Sequence, residues 1–212
     1  MSHPSQPDFW NSRYEAGQTP WEFPGVPADL QRFLKQKPRG SGPTTGPAAS
    51  RGRVLIPGCG TGREIVAFAE AGFEVTAIDF AAKAVEAAKK NAGPVHAKSI
   101  LPADFFVHDF PAGSFDYIYE RGFLCSLTPD RREAYRNRAS VLLKPGGCLV
   151  GYFYYQIPVL ENGPPFGFAW GTADELFGRH FILTKDVPVT DSLPVFAGRE
   201  RWQEQRRTSF PV

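Results

Sequence analysis

The stretch Arg53-Val54-Leu55-Ile56-Pro57-Gly58-Cys59-Gly60-Thr61-Gly62 decides how the rest of the chain is read. Val54, Leu55 and Ile56 form a short apolar run of the kind that lies in a strand buried on both faces. Pro57 and Gly58 end it. Residues 63–71 then carry Ile65, Val66, Phe68 and Ala69 at helical spacing, and Gly72 is a natural C-terminal stop. A glycine-rich turn between a strand and a helix falls at the carboxyl edge of a parallel sheet, where such folds bind ligands. Glycine there lets the backbone approach a ligand closely. The next expected strand, 73–78, runs into Asp79, 21 residues beyond Gly58. A carboxylate at that point can accept hydrogen bonds from the two hydroxyls of a ribose.

Working outward, residues 81–91 form an alanine-rich helix closed by Gly93-Pro94. Further strands are expected at 105–107 and 115–119, a helix at 130–142, and a long strand at 148–155 after the turn Pro145-Gly146-Gly147. A short helix at 173–178 precedes two β-like runs, 181–187 and 195–206, with no clear helix between them. This order predicts a Rossmann-like, doubly wound, mostly parallel seven-stranded α/β sheet with right-handed crossovers and an antiparallel edge hairpin. Upstream, 8–25 is rich in aromatics and turn residues, and 27–37 reads as a helix with Leu30, Phe33 and Leu34 on one face. The run Pro38 to Ser50 is low-complexity and cannot build a core. The expected organisation is one domain over 1–212: an N-terminal lid and helix at 1–37, a flexible loop at 38–50, and the α/β core at 51–212.

Bulk properties exclude several classes. A formal net charge of +2 is too small to argue for nucleic acid. The C-terminal arginines Arg199, Arg201, Arg206 and Arg207 form the one local basic cluster, for which a solvated face is the plain reading. Cys59, Cys125 and Cys148 have no zinc-type spacing, and the four histidines have no metal-ligand spacing, so no metal is expected. The N-terminus has no apolar run of signal-peptide type and no stretch could span a bilayer. A monomer in the cytoplasm acting on a small molecule is the expectation.

The glycines discriminate between nucleosides. A dinucleotide fingerprint would place its third glycine at position 63, which is arginine. The spacing at 58, 60 and 62 instead looks like the loop of class I methyltransferases, where no pyrophosphate is cradled. S-adenosyl-L-methionine is therefore preferred over a nicotinamide cofactor, and an NAD(P)-binding oxidoreductase is the alternative.

Four further motifs join that loop: Trp10-x3-Tyr14-x2-Gly17-x-Thr19-Pro20-Trp21, Phe115-Asp116-Tyr117-Ile118-Tyr119-Glu120-Arg121-Gly122, Leu142-Leu143-Lys144-Pro145-Gly146-Gly147 and Gly163-Pro164-Pro165-Phe166. Together they resemble the thiopurine S-methyltransferase family, including its plant-type thiol and halide methyltransferases, over nearly the whole length. The resemblance implies that Trp10 and Trp21 close over the cofactor, that Gly58, Gly60, Asp79 and Phe80 hold it, and that Asp109 and Phe110 contact its adenine. It implies that Arg121 faces cofactor and substrate and that Pro165 and Phe166 border the substrate. Arg121 matches thiopurine-type members, whereas Asp79 and Pro57-Gly58-Cys59-Gly60 look more like the plant-type and bacterial branches. The acceptor thus stays open between a thiol or thiopurine-like compound, a selenium or tellurium species, and a halide or thiocyanate. Read as residues alone, the tryptophans could equally be core, Asp109 a turn residue before Pro111, and Gly-Pro-Pro-Phe a rigid turn. No acid–base pair is recognisable, and Arg121 with Arg199 could attract and orient an anionic acceptor.

Overall fold

In the computed structural model, which describes residues 3–36, 50–155, 163–169 and 172–209, two helices precede the sheet. These are α1 (Pro7–Glu15) and α2 (Ala28–Gln36). Pro7 suits the first turn of α1, where its missing N–H costs nothing, and Asp8 and Arg13 match the helix dipole at either end. The residues expected to form a loop at 38–50 lie, apart from Ser50, outside the described residues.

The core then runs β1 (Arg53–Pro57), α3 (Ile65–Glu70), β2 (Glu74–Asp79), α4 (Ala82–His96), β3 (Ile100–Pro102) and β4 (Phe115–Arg121). It continues through α5 (Arg132–Leu142), β5 (Leu143–Tyr154), α6 (Thr172–Phe177), β6 (Phe181–Pro188) and β7 (Glu200–Arg207). The described strands form one seven-stranded sheet in the order β3-β2-β1-β4-β5-β7-β6. Pairs from β3 through β5 are parallel, while β7 runs antiparallel to both β5 and β6. The expected architecture, antiparallel edge included, is what the chain adopts.

Alternation along β1 shows how the sheet is buried. Val54 and Ile56 join one apolar cluster with α2, α3 and α4 residues such as Phe33, Ile65, Phe68 and Ala88. Leu55 joins the other, with Tyr135, Ala139 and Leu142 of α5 and Phe177 of α6. Helices therefore cover both faces, and β1 and β4 lie at the centre, with their carboxyl ends on one edge.

One expected strand is misplaced. Residues 105–107 form a turn, and the third strand lies earlier, at Ile100–Pro102, where Ala77, Ile78 and Asp79 pair with it. Asp104 causes the difference. Its Oδ1 accepts the Phe106 N–H at 2.8 Å and its carbonyl accepts His108 N–H at 3.0 Å, an Asx-type turn that competes with extension. Three smaller differences concern ends. The helix after β2 continues past Gly93, which interrupts it with non-helical angles, to His96. The turn at 145–147 is absorbed into an irregular β5, and the last strand starts at Glu200, after a 3-10 turn at Pro194–Phe196.

Edge strand β6 carries a register shift between Leu183 and Lys185, with the Thr184 hydroxyl donating to the Glu204 carbonyl at 2.9 Å. Ile182 and Leu183 are exposed on it, and Pro188 ends it.

Candidate functional site

At the carboxyl edge of the central strands lies a cavity of about 410 Å³. Its floor is the turn after β1. Gly60 has φ +52°, and a Cβ there would come within 2.8 Å of Glu22 Oε1 and 2.9 Å of the Tyr14 hydroxyl. Gly58 has φ +56°, and a Cβ would lie 2.4 Å from the Phe123 ring. Any side chain at either position would be strained and would fill the space between the loop and its neighbours.

Asp79 ends β2 beside this turn. Its Oδ2 accepts the Gly60 N–H at 3.0 Å and its Oδ1 the Ala81 N–H at 2.9 Å. Burial raises its carboxyl to about 6, against the pull of those amides. Phe80 lines the cavity next to it.

The N-terminal segment supplies one wall. Trp10 packs edge-on against Trp21 with ring centroids 5.6 Å apart, and Tyr14 against Trp21 at 6.1 Å. Both tryptophans line the cavity. The segment is tied down at two places. Glu22 accepts the Thr61 N–H at 3.3 Å and also the Thr61 hydroxyl, and Asn11 Oδ1 accepts the Lys83 N–H at 3.0 Å.

Arg121, at the end of β4, is held between two aromatic rings, with its guanidinium carbon 4.9 Å from the Phe23 centroid and 5.1 Å from Tyr152. Its Nη1 lies 3.7 Å from Glu64 Oε1, and both side chains are about one-tenth exposed. Burial pushes the Glu64 carboxyl up, and Arg121 opposes that push. Among the described residues, Arg121 Nη1 and the Tyr119 hydroxyl are buried cavity-wall polar atoms without a hydrogen-bond partner. Cys125, Pro164, Pro165, Val195 and Phe196 add an apolar stretch of wall, and Trp21 packs against Cys125 and Phe196. Burial, then Glu120, raises the Cys125 thiol far above its ordinary value, so it is no thiolate nucleophile.

Not every expected residue joins this set. Trp10, Trp21, Gly58, Gly60, Asp79, Phe80, Arg121 and Pro165 line the cavity. Asp109 and Phe110 do not: Asp109 is exposed, and Phe110 packs between His108 and Phe115 at 4.4 and 5.3 Å. β3 ends at Pro102, and the residues after it that line the cavity are Asp104, Phe105 and Phe106. Phe166 is buried behind the wall, its N–H donating to the Cys125 carbonyl at 2.6 Å. Arg199 is exposed and outside the cavity.

Sequence reasoning passed over Glu22, Phe23, Glu64 as a wall residue, and Phe123. The position of Glu22 beside Trp21 was a usable signal, because a residue flanked by two lid aromatics shares their wall. Among the described residues, no group of His, Cys, Asp and Glu suits a metal ion, and no helix is long and apolar enough to cross a membrane.

Comparison with known proteins agrees with this geometry. A family model described as thiopurine S-methyltransferase matches residues 5–207. The chain is 37% identical over 160 residues to probable thiol methyltransferase 2 of Arabidopsis thaliana, covering 74% of this chain and 66%, just under two thirds, of that protein. It is 31% identical over 204 residues to thiocyanate methyltransferase 1 of Brassica oleracea, covering 92% and 84%. Among solved structures it is similar to 1,6-didemethyltoxoflavin-N1-methyltransferase of Burkholderia thailandensis, crystallised with S-adenosylhomocysteine. The TM-score there is 0.69 at 20% identity, over 99% of this chain and 92% of that one, a likeness of fold alone. Matched by one family model along almost its full length, the chain belongs to the thiopurine S-methyltransferase family and is an S-adenosylmethionine-dependent methyltransferase.

Proposed function

We propose that this enzyme methylates small soft nucleophiles that arrive already ionised, thiols above all. The observation that carries this reading is the condition of the carboxylates around the cavity. Glu22 is engaged by Thr61, Asp79 by Gly60 and Ala81, Asp104 by Phe106, and Glu64 by Arg121. Among the described residues, every carboxylate of the cavity wall is thus already committed to an amide, a hydroxyl or a cation. This disfavours acceptors that need deprotonation in the site, whereas a thiolate needs none.

The residues fit the cofactor. Gly58 and Gly60 leave the loop bare for close approach, and Asp79 presents a buried carboxylate with spare lone pairs for two ribose hydroxyls. Phe80, Asp104, Phe105 and Phe106 form the surroundings for the base, and Trp10 and Trp21 the cover. When bound, S-adenosylmethionine supplies an electrophilic methyl carbon on a sulfonium.

The chain's task is then positioning. Arg121, fixed between Phe23 and Tyr152, orients the acceptor, and the wall of Trp21, Cys125, Pro164, Pro165, Val195 and Phe196 excludes water from it. A thiolate loses its solvation there and gains a short path to the methyl carbon. The Brassica relative's name adds thiocyanate as a second acceptor class. We further propose that the enzyme works as a monomer in the cytoplasm, with residues 1–37 acting as a lid on the 51–212 core.

A panel of aryl thiols, thiopurines, thiocyanate, iodide and amines, assayed with radiolabelled cofactor, tests the reading. Rates for aryl thiols should rise with pH in step with their thiolate fraction and then level off. Amines methylated as fast as thiols would overturn it.

A further inference from the structure

We infer that Glu64 decides which acceptors the site admits, by cancelling the charge of Arg121 and turning away acceptors that carry a second anionic group. This rests on the reading of the cavity as the acceptor site.

The geometry is a buried pair of one cation and one acid, both about one-tenth exposed at the cavity wall. Glu64 comes from the turn before α3 and approaches Arg121 from the cavity side, at 3.7 Å. Glu200, 4% exposed, accepts the Ser192 hydroxyl at 2.7 Å and adds its charge from β7. Phe23 and Tyr152 keep the guanidinium from swinging out to solvent. An isolated arginine in an apolar cavity would capture any anion strongly, including dianions, because low local polarity amplifies its charge. Here that field is spent first on Glu64, 3.7 Å away.

The contact at 3.7 Å is too long for a hydrogen bond, and Arg121 Nη1 has no other partner among the described residues. Arg121 thus keeps a donor to orient an acceptor while offering little net charge to attract one. A thiolate is tolerated, because its charge disappears as the S–C bond forms and the S–CH3 bond of the sulfonium breaks. A carboxylate elsewhere on the acceptor keeps its charge throughout and meets Glu64.

The test uses binding, not turnover. Product-like thioethers, 4-(methylthio)benzoate and its neutral isostere 4-(methylthio)benzamide, are titrated calorimetrically at pH 8 into the full-length protein saturated with S-adenosylhomocysteine. The wild type should favour the amide. Glu64→Gln should shift the affinity ratio toward the carboxylate by about tenfold, the scale of a removed like-charge contact. Glu64→Asp, which keeps the charge, should leave the ratio within about threefold of the wild type's. Arg121→Met should shift it the other way, and in the Arg121→Met background Glu64→Gln should shift the ratio by a different amount from its shift alone, as a coupled pair requires. If Glu64→Gln does not fold, Glu64→Ala is read in its place, with the same shift expected. Unchanged ratios across the folded variants overturn the role of Glu64 and leave the acceptor class standing. A wild type that binds neither thioether removes both.

Discussion

Asp79 bonds two amides with its two oxygens and is buried, yet it lines the cavity. In the function proposed above, such a carboxylate serves the loop and the ligand at once. Asp79→Asn should therefore weaken S-adenosylhomocysteine binding by about 1.5–3 kcal/mol, or roughly ten- to hundredfold, measured by calorimetry on a variant with unaltered circular dichroism. Unchanged affinity would remove the ribose assignment. The wild-type protein should show a matching pH dependence. With its pKa raised to about 6, free Asp79 is ionised above that value and protonated below it. Bonding to hydroxyl donors favours the ionised form, so affinity should be full above pH 6 and fall as pH drops through it, with proton release on binding. A flat profile from pH 5 to 8 would contradict this. Asp79 was legible in the sequence because a strand end, a glycine turn and one acid lie within thirty residues. Glu22 was marked only by its place beside Trp21; its bond to Thr61, 39 positions away, has no local pattern to announce it.

Among the elements, α1 and the 16–25 segment have the least conventional place. They lie outside the alternating strands and helices, yet Trp10, Tyr14, Trp21, Glu22 and Phe23 all face the cavity. Phe23 packs on Arg121, and Trp21 on the cluster of Cys125, Tyr154 and Phe196. Besides that packing, their polar attachments to the core are few: Glu22 to Thr61, Asn11 to the backbone of Lys83, and a loose, exposed ion pair from Glu15 to the Lys83 side chain at 3.6 Å. An element held so lightly opens at low cost and closes when a ligand adds contacts. S-adenosylhomocysteine should slow amide hydrogen exchange across residues 8–25 by about tenfold or more, leaving the centre of β1 unaffected. Identical exchange with and without ligand would make the tryptophans ordinary packing. Elements were read most reliably where periodicity was long, as in α2, α4 and α5. The third strand was misread because a three-residue strand has no periodicity, while Phe105-Phe106-Val107 carries strand-forming residues on a turn. The turn is dictated by Asp104, and Val107 is 78% exposed there, where a central strand would bury it.

At the scale of the molecule, the strand order puts β1 and β4 side by side at the middle of the sheet, so the glycine turn and Arg121 open onto one edge. That placement follows from general topology and was readable from the βα order alone. The antiparallel return of β7 between β5 and β6 was readable only as an absence of helix. The same sheet has two outer strands whose main-chain groups face no partner strand. One, β3, is three residues long and ends in Pro102, too short to seed anything. The other, β6, has eight residues and displays Ile182 and Leu183, which would make it a template for another chain's strand. The extra residue Thr184 works against that: it shifts the register, interrupts the regular repeat of donors and acceptors, and its hydroxyl donates to the Glu204 carbonyl. The expected consequence is that one inserted threonine, outside the cavity lining, guards the molecule against edge-to-edge association. Deleting Thr184 should flatten the edge and start concentration-dependent light scattering where the parent protein stays dispersed. Equal scattering from the two would mean that the bulge is incidental and that charge alone keeps the molecules apart.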